Sequence, residues 1–234
     1  MMNKIPLEKI LVLDIETVPA WANYQEVPEP FKSLWDKKAS FISNDNMPDE
    51  IFDRAGIYAE FGKIICLSSG FMAGGEFRIK SYFGHNEKVL LEEFAYLLRT
   101  YYNRGEKFLC AHNGKEFDFP YIARRMLING IDLPEILDMA GKKPWEVPHL
   151  DTMDLWRFGD YKNYTSLELL TAVFNIPTPK DDIRGSDIHR VYWQEKDLGR
   201  IVEYCQKDVL AIAQLMLRYQ NKPLISKEKV TIVN

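Results

Sequence analysis

Cysteine is scarce in this chain, and the three present do not pair by spacing. Cys66, Cys110 and Cys205 are scattered and odd in number, which argues against a disulfide frame or a zinc site and predicts small buried hydrophobes in a reducing compartment. Long apolar runs are also missing. No segment approaches the roughly 18 apolar residues of a membrane span. The opening "MMNKIPLEKILVLDIE" has a short apolar stretch interrupted by acids, so no signal peptide is expected. The cytoplasm is the expected location. A basic excess is lacking too: 30 Lys and Arg against 34 Asp and Glu leave a formal charge of −4, which argues against an unspecific polyanion binder. It leaves nucleic-acid enzymes open, because carboxylates committed to divalent cations count as negative in the sequence but not in a working site. Low-complexity tracts and internal repeats are absent as well.

What is there is an ordinary globular balance: 234 residues, 46% hydrophobic and 27% charged, enough for one large domain or two small ones with a sizeable core. "ILVLDIETVP" (10–19) reads as a buried strand. Residues 19–60 carry Pro19, Pro28, Pro30 and Pro48 and read as an insertion with short helices around "FKSLWDKK" and "PDEIFDRAG". Two strands follow at 63–74 and 76–84, with "AGG" as a hairpin turn between them. A helix over 86–105 has Asn86 as cap and Gly105 as stop. A short strand at 107–113 precedes a helix at 117–131, with Pro120 in its first turn and Gly130 closing it. A fifth strand is expected at 148–156, a helix at 166–176 capped by Ser166, and a long helix at 197–219. This order predicts an α/β sheet with helices on its faces, in which ligands gather at strand ends.

Three places carry acids that need a partner. Asp14 and Glu16, two apart on a strand, leave one face together, where they repel each other and lose solvation. On the last helix the apolar stripe runs through Ile201, Cys205, Val209, Ile212 and Leu215, and Tyr204 and Asp208 share a face along its edge. In "CAHNGKEFDFP", Asp118 stands in the first turn of a helix, where an acid suits the dipole, yet it follows a strand end in the company of Asn113 and Phe117. Two divalent cations would compensate all three. Hard cations such as Mg²⁺ take carboxylate oxygens, waters and substrate phosphates, and a pair about 3.5–4 Å apart can serve phosphodiester cleavage. Histidine and cysteine, which favour zinc, are missing from this set.

"D-I-E" (14–16), "N-G-K-E-F-D" (113–118) and "Y-C-Q-K-D" (204–208) resemble the three motifs of the DEDD superfamily of 3′–5′ exonucleases, tyrosine subgroup. A lone D-x-E is nearly worthless, but the three patterns occur once each, in the family's order and on the expected elements. "LDIETVP" and "AGIYAEFGKIICLSSG" resemble free-standing proteins related to the proofreading domain of family-B DNA polymerases. The likeness spans about residues 10–220, and no polymerase domain is expected in the chain.

The resemblance implies a ribonuclease-H-like mixed sheet with helices on both faces, and a single exonuclease domain over 1–234. It implies that Asp14 bridges two divalent cations, Mg²⁺ or Mn²⁺. Glu16 and Asp208 complete the site of the cation that carries the attacking water, and Asp118 holds the other. Tyr204 orients that water; with an ordinary pKa of about 10, it is the less economical base. Asn113, Phe117 and the backbone from Ile15 to Thr17 are candidates to hold the terminal nucleotide. The implied activity is release of nucleoside 5′-monophosphates from a single-stranded nucleic-acid 3′ end, DNA before RNA. RNA 3′-end trimming and an inert nucleic-acid-binding module are the rivals.

Several residues stand outside the motifs. Lys180 and Arg184, in a loop leading toward the last helix, are either phosphate contacts or part of a solvated loop. Arg124 and Arg125 are further phosphate candidates. Trp21, Tyr24, Phe31 and Trp35 either stack on bases or close a local core. His112 reads as a structural histidine, and Asp151 and Asp154 as structural or supporting acids.

Overall fold

The computed structural model describes residues 5–43, 45–103, 106–143, 145–160, 162, 164–177 and 183–233. Among them, six strands form one sheet in the order β5-β4-β1-β2-β3-β6. They are β1 (Ile10–Pro19), β2 (Gly62–Ala73), β3 (Glu76–Phe83), β4 (Phe108–Ala111), β5 (Leu150–Asp151) and β6 (Val230–Val233). β2 runs antiparallel to β1 and β3, while β4 pairs parallel with β1 and β5 with β4. The sheet is therefore mixed, as expected. Seven α-helical segments accompany it: α1 (Phe31–Ile42), α2 (Glu87–Tyr101), α3 (Asp118–Ile128), α4 (Thr152–Arg157), α5 (Leu167–Val173), α6 (Ile188–Arg190) and α7 (Leu198–Tyr219).

The period of β1 separates the two cores. Leu11, Leu13 and Ile15 pack with Leu91 and Phe94 of α2 and Phe119 and Ile122 of α3. Ile10 and Val12 pack on the other face with Val209, Ile212 and Met216 of α7. Helices cover both faces, and Asp14 and Glu16 fall in the alternation that faces α7. The expected stripe on α7 holds: Ile201, Cys205, Val209, Ile212 and Leu215 are fully buried.

Local signals set most boundaries. Asn86 and Ser166 accept the N–H groups of Val89 and Leu169 as caps. Gly74 and Gly75, both at positive φ, form the two-residue turn between β2 and β3. Gly130, at φ 68°, closes α3 as its Ile131 N–H reaches back to Met126 O at 2.9 Å. The expected stop at Gly105 lies outside the described residues.

Three elements differ from expectation. The fifth strand is two residues long, not nine, because the Asp151 carboxylate accepts the N–H groups of Met153 and Asp154 and turns the chain into α4. α6 runs on into a wide π turn over Val191–Glu195, a stretch without a predicted element. β6 is a strand that the sequence does not announce, paired parallel with β3. The segment between β1 and β2 has its own small core around the buried Trp35, with Phe52 and Phe61 edge-on to it and its indole N–H donated to Pro48 O at 2.8 Å. Trp35 therefore closes a core and does not stack on bases. Tyr24 is tied to Asp36 at 2.6 Å, and the half-buried Trp21 leans on the exposed Phe31.

Candidate active site

β4 pairs with β1 only from Ile10 to Val12. Beyond that point β1 continues alone on this side, and the chain leaving β4 turns through 112–118. The Ile15 N–H, without a strand partner there, donates to the carboxylate of Asp118. On the other side a bulge between Glu16 and Thr17 interrupts the pairing with β2. Bulges re-aim side chains and commonly border functional sites. Asp14 and Glu16 thus stand at the point where the sheet opens.

The 113–118 turn is shaped from within. Asn113 sits at φ 64°, which asparagine tolerates better than most residues. Gly114 passes so close to Ala111 that a Cβ would lie 2.4 Å from the alanine Cβ. Asp151 fixes the turn by accepting the N–H of Asn113 at 2.9 Å and that of Lys115 at 3.0 Å, while also capping α4. Asp154 pairs with the Lys115 ammonium at 3.0 Å. Both acids therefore support the site from behind. His112 is also structural: its Nε2–H donates to Thr165 O at 2.9 Å, and Nδ1 meets the Thr152 hydroxyl at 2.8 Å. Burial pulls its pKa down, so the ring is held neutral.

α7 supplies the third side. Tyr204 donates its hydroxyl to Asp208, one turn further on. The Cys205 thiol points at Asp14 O, 3.4 Å away. Ligand atoms of Asp14, Glu16 and Cys205 lie within 4.8 Å of one another, and Asp118 and Asp208 are near enough for their charges to bear on both strand acids. β1, α3 and α7 thus bring the four predicted acids and Tyr204 together. Cys205 is the member that sequence reasoning missed, because its place in the apolar stripe accounts for its burial by itself. Its position between Tyr204 and Asp208 was the available signal.

The electrostatics follow from gathering four acids in one place. Burial, then the charges of Glu16, Asp208 and Asp118, push the Asp14 pKa well up. Burial and the Asp208 charge do the same to Glu16. Burial also pushes Asp118 to about 8, against the opposing hydrogen bonds from Ile15 and its own N–H. Burial and the neighbouring acids raise Tyr204 far above the usual phenol range, so the phenol keeps its proton. None of the leading influences on Asp14 or Glu16 is a cation. Asp14 Oδ2 and Asn113 Oδ1 are buried without a hydrogen-bond partner, which is costly for a polar oxygen. Orphaned, acceptor-only oxygens among clustered acids suit hard divalent cations, and the residues present fit them.

The remaining predicted residues divide. The Ile15 side chain is buried in the α2–α3 core, so only its backbone faces the site. The Thr17 hydroxyl bonds to Tyr121, whose own hydroxyl donates to Gly56 O at 2.7 Å. Phe117 is half-buried against Tyr121, ring centres 5.3 Å apart. Arg184 is exposed, beside Ile183, which packs in one cluster with Val18 and Cys205. Lys180 lies outside the described residues. Arg125 is a correction. It forms a buried pair with Glu87, Nε to Oε1 at 2.9 Å, and also donates to Ala59 O. Glu87 further accepts the Ile64 N–H and Asn129. Arg125 is thus spent on joining α2, α3 and β2, whereas Arg124 is exposed.

Comparison with known structures and families agrees with this geometry. The family B DNA polymerase from the hyperthermophilic archaeon Pyrobaculum calidifontis is similar over 91% of this chain, with a TM-score of 0.51 and 14% identity. This chain covers 25% of the polymerase, and the likeness is one of fold, the ribonuclease-H-like α/β sheet. Residues 58–228 match a family model; the match takes in Asn113, Phe117, Asp118, Tyr204 and Asp208 and begins beyond Asp14 and Glu16. The chain belongs to this family, described as "Predicted 3'-5' exonuclease related to the exonuclease domain of PolB".

Proposed function

We propose that this protein removes nucleotides from the 3′ end of single-stranded DNA, releasing nucleoside 5′-monophosphates, with two divalent cations, Mg²⁺ or Mn²⁺. The observation that carries this reading is the convergence of buried Glu16 and Asp118 with half-buried Asp14 and Asp208, acids from three elements, around the unpartnered Oδ2 of Asp14. An inert module has no physical reason to keep repelling carboxylates together. DNA comes first because the structural relative is a DNA polymerase.

Asp14 would hold both cations, Glu16 and Asp208 one of them, and Asp118 the other. When bound, the cations supply Lewis acidity, lowering the pKa of an attacking water and offsetting charge on the phosphate. Tyr204, kept protonated by its surroundings, orients the attacking water as a hydrogen-bonding group and is not the base. Its bond to Asp208 fixes the phenol's direction. Asn113, with its free Oδ1, Phe117 and the backbone from Ile15 to Thr17 hold the terminal nucleotide. Arg184 and Lys180 contact the phosphate backbone. Residues 1–234 act as one exonuclease domain with an insertion at about 19–60, and the protein works in the cytoplasm.

The test is product analysis on matched single-stranded DNA and RNA oligomers with Mg²⁺ or Mn²⁺. Nucleoside 5′-monophosphates released faster from DNA support the reading. Faster release from RNA reassigns the substrate and leaves the site roles intact, since that choice rests on contacts around the 2′ position. Binding without release from either oligomer favours the inert module.

A further inference from the structure

Two residues that none of the three motifs contains stand near the turn that leads to Asp118. α4 ends at Arg157, whose side chain is 12% exposed. Its Nη1 lies 3.4 Å from a carboxylate oxygen of Glu116, a side chain 66% exposed to water. That separation is well beyond the 2.7–2.9 Å of a strong charge-assisted bond. Its Nε is buried without an acceptor. The guanidinium is thus enclosed but under-satisfied, a costly state for a charged donor. Glu116 stands two residues before Asp118, which ties Arg157 to the turn that carries the catalytic acid.

Tyr164 stands on the same side. Its side chain is among the exposed aromatics, at 67%, and the two residues that follow it are tied down. Thr165 O accepts from His112 at the end of β4, and Ser166 caps α5. Its phenol feels the charges of Asp118, Asp151, Glu116 and Arg157; partial burial and the acids push its pKa up, so the ring stays neutral. An exposed, uncharged ring next to an anchored segment and an under-satisfied guanidinium are what a nucleic-acid strand requires, one for a base face and one for a phosphate.

We propose that Arg157 and Tyr164 clamp the substrate strand on the Asp118 side of the site, Arg157 taking a backbone phosphate and Tyr164 stacking on a base. The inference rests on the exonuclease reading and deepens it. Every base has a π-face, so the clamp adds affinity without sequence preference. A phosphate at Nη1 takes the place of the long contact to Glu116, which is free to swing into water when it does.

The test is binding of a fluorescein-labelled oligo(dT) of about 12 nucleotides, a length within the usual span of single-strand sites, with Ca²⁺ replacing Mg²⁺. Tyr164→Ala is expected to weaken binding roughly five- to a hundredfold, and Tyr164→Phe to restore it. Arg157→Gln is expected to reduce the slope of log affinity on log salt by about 0.7, one phosphate contact on a single strand. Tyr164 is exposed, so its variants fold and keep the test decisive even where Arg157→Gln does not. Wild-type affinity in Tyr164→Ala, together with an unchanged salt slope in Arg157→Gln, overturns the clamp. If the wild type degrades oligo(dT) in Mg²⁺ at the same time, the exonuclease reading survives that result. A wild type that neither binds nor degrades it overturns both.

Discussion

Asp118 shows how much of this site is decided by surroundings and not by residue type. An aspartate is ordinarily ionised above about pH 4, but burial pushes Asp118 to about 8, and Asp14 and Glu16 are driven the same way. Between those limits the metal-free native protein holds more protons than the unfolded chain. Its stability therefore falls as pH rises through this window, and the loss is complete once the pH passes the folded values. In EDTA, the Tm is expected to drop from pH 5 to pH 8 by at least about 5 °C, taking 2–4 °C per kcal/mol for a domain of this size. Asp118→Asn is expected to flatten the drop, and Mn²⁺ to remove most of it. Thermal melts across that range provide the measurement, and a wild-type Tm independent of pH in EDTA contradicts the assignment. At this scale the sequence was most legible: the acids and Tyr204 declared themselves by type and spacing. Arg125 did not, because the Glu87 that captures it lies 38 residues away.

Among the elements, β5 and α4 do the positioning. Asp151 accepts four backbone N–H groups, from Asn113, Lys115, Met153 and Asp154, and so couples the Asp118 turn to a helix cap. Removing it strands those donors. Asp151→Ala is expected to cost about 3 kcal/mol, a cap and a charged acceptor together, and to reduce nuclease activity roughly 100-fold through displacement of Asp118. Asp154→Ala, which removes only the partly exposed pair with Lys115, is expected to cost under about 1 kcal/mol. Denaturant unfolding and initial rates of both variants separate the two roles. Periodicity and caps made α2, α3, α5 and α7 readable in advance. The long β5 was misread because a strand pattern and a capping aspartate compete within "LDTMDLW", and the cap wins. β6 was unreadable because its four residues become a strand only against β3.

For the whole molecule, topology turns three scattered motifs into one site. β1 supplies two acids at the sheet opening, the parallel crossover to β4 and α3 returns a third, and α7 lays the fourth across the face that Asp14 and Glu16 share. A fold that gathers four acids in this way is stabilised by whatever neutralises them. Divalent cation at about 100 times its Kd is expected to contribute about 2.7 kcal/mol, a Tm rise of roughly 5–10 °C, and Asp14→Ala is expected to abolish the rise. Scanning calorimetry with Mn²⁺ checks both.

The most direct test is digestion of a 5′-labelled single-stranded DNA oligomer by the wild type in Mg²⁺ or Mn²⁺, beside EDTA and Asp14→Ala controls. The account predicts a ladder that shortens from the 3′ end and disappears in both controls. An intact oligomer with folded, metal-loaded protein, or a ladder that survives in Asp14→Ala, would contradict it.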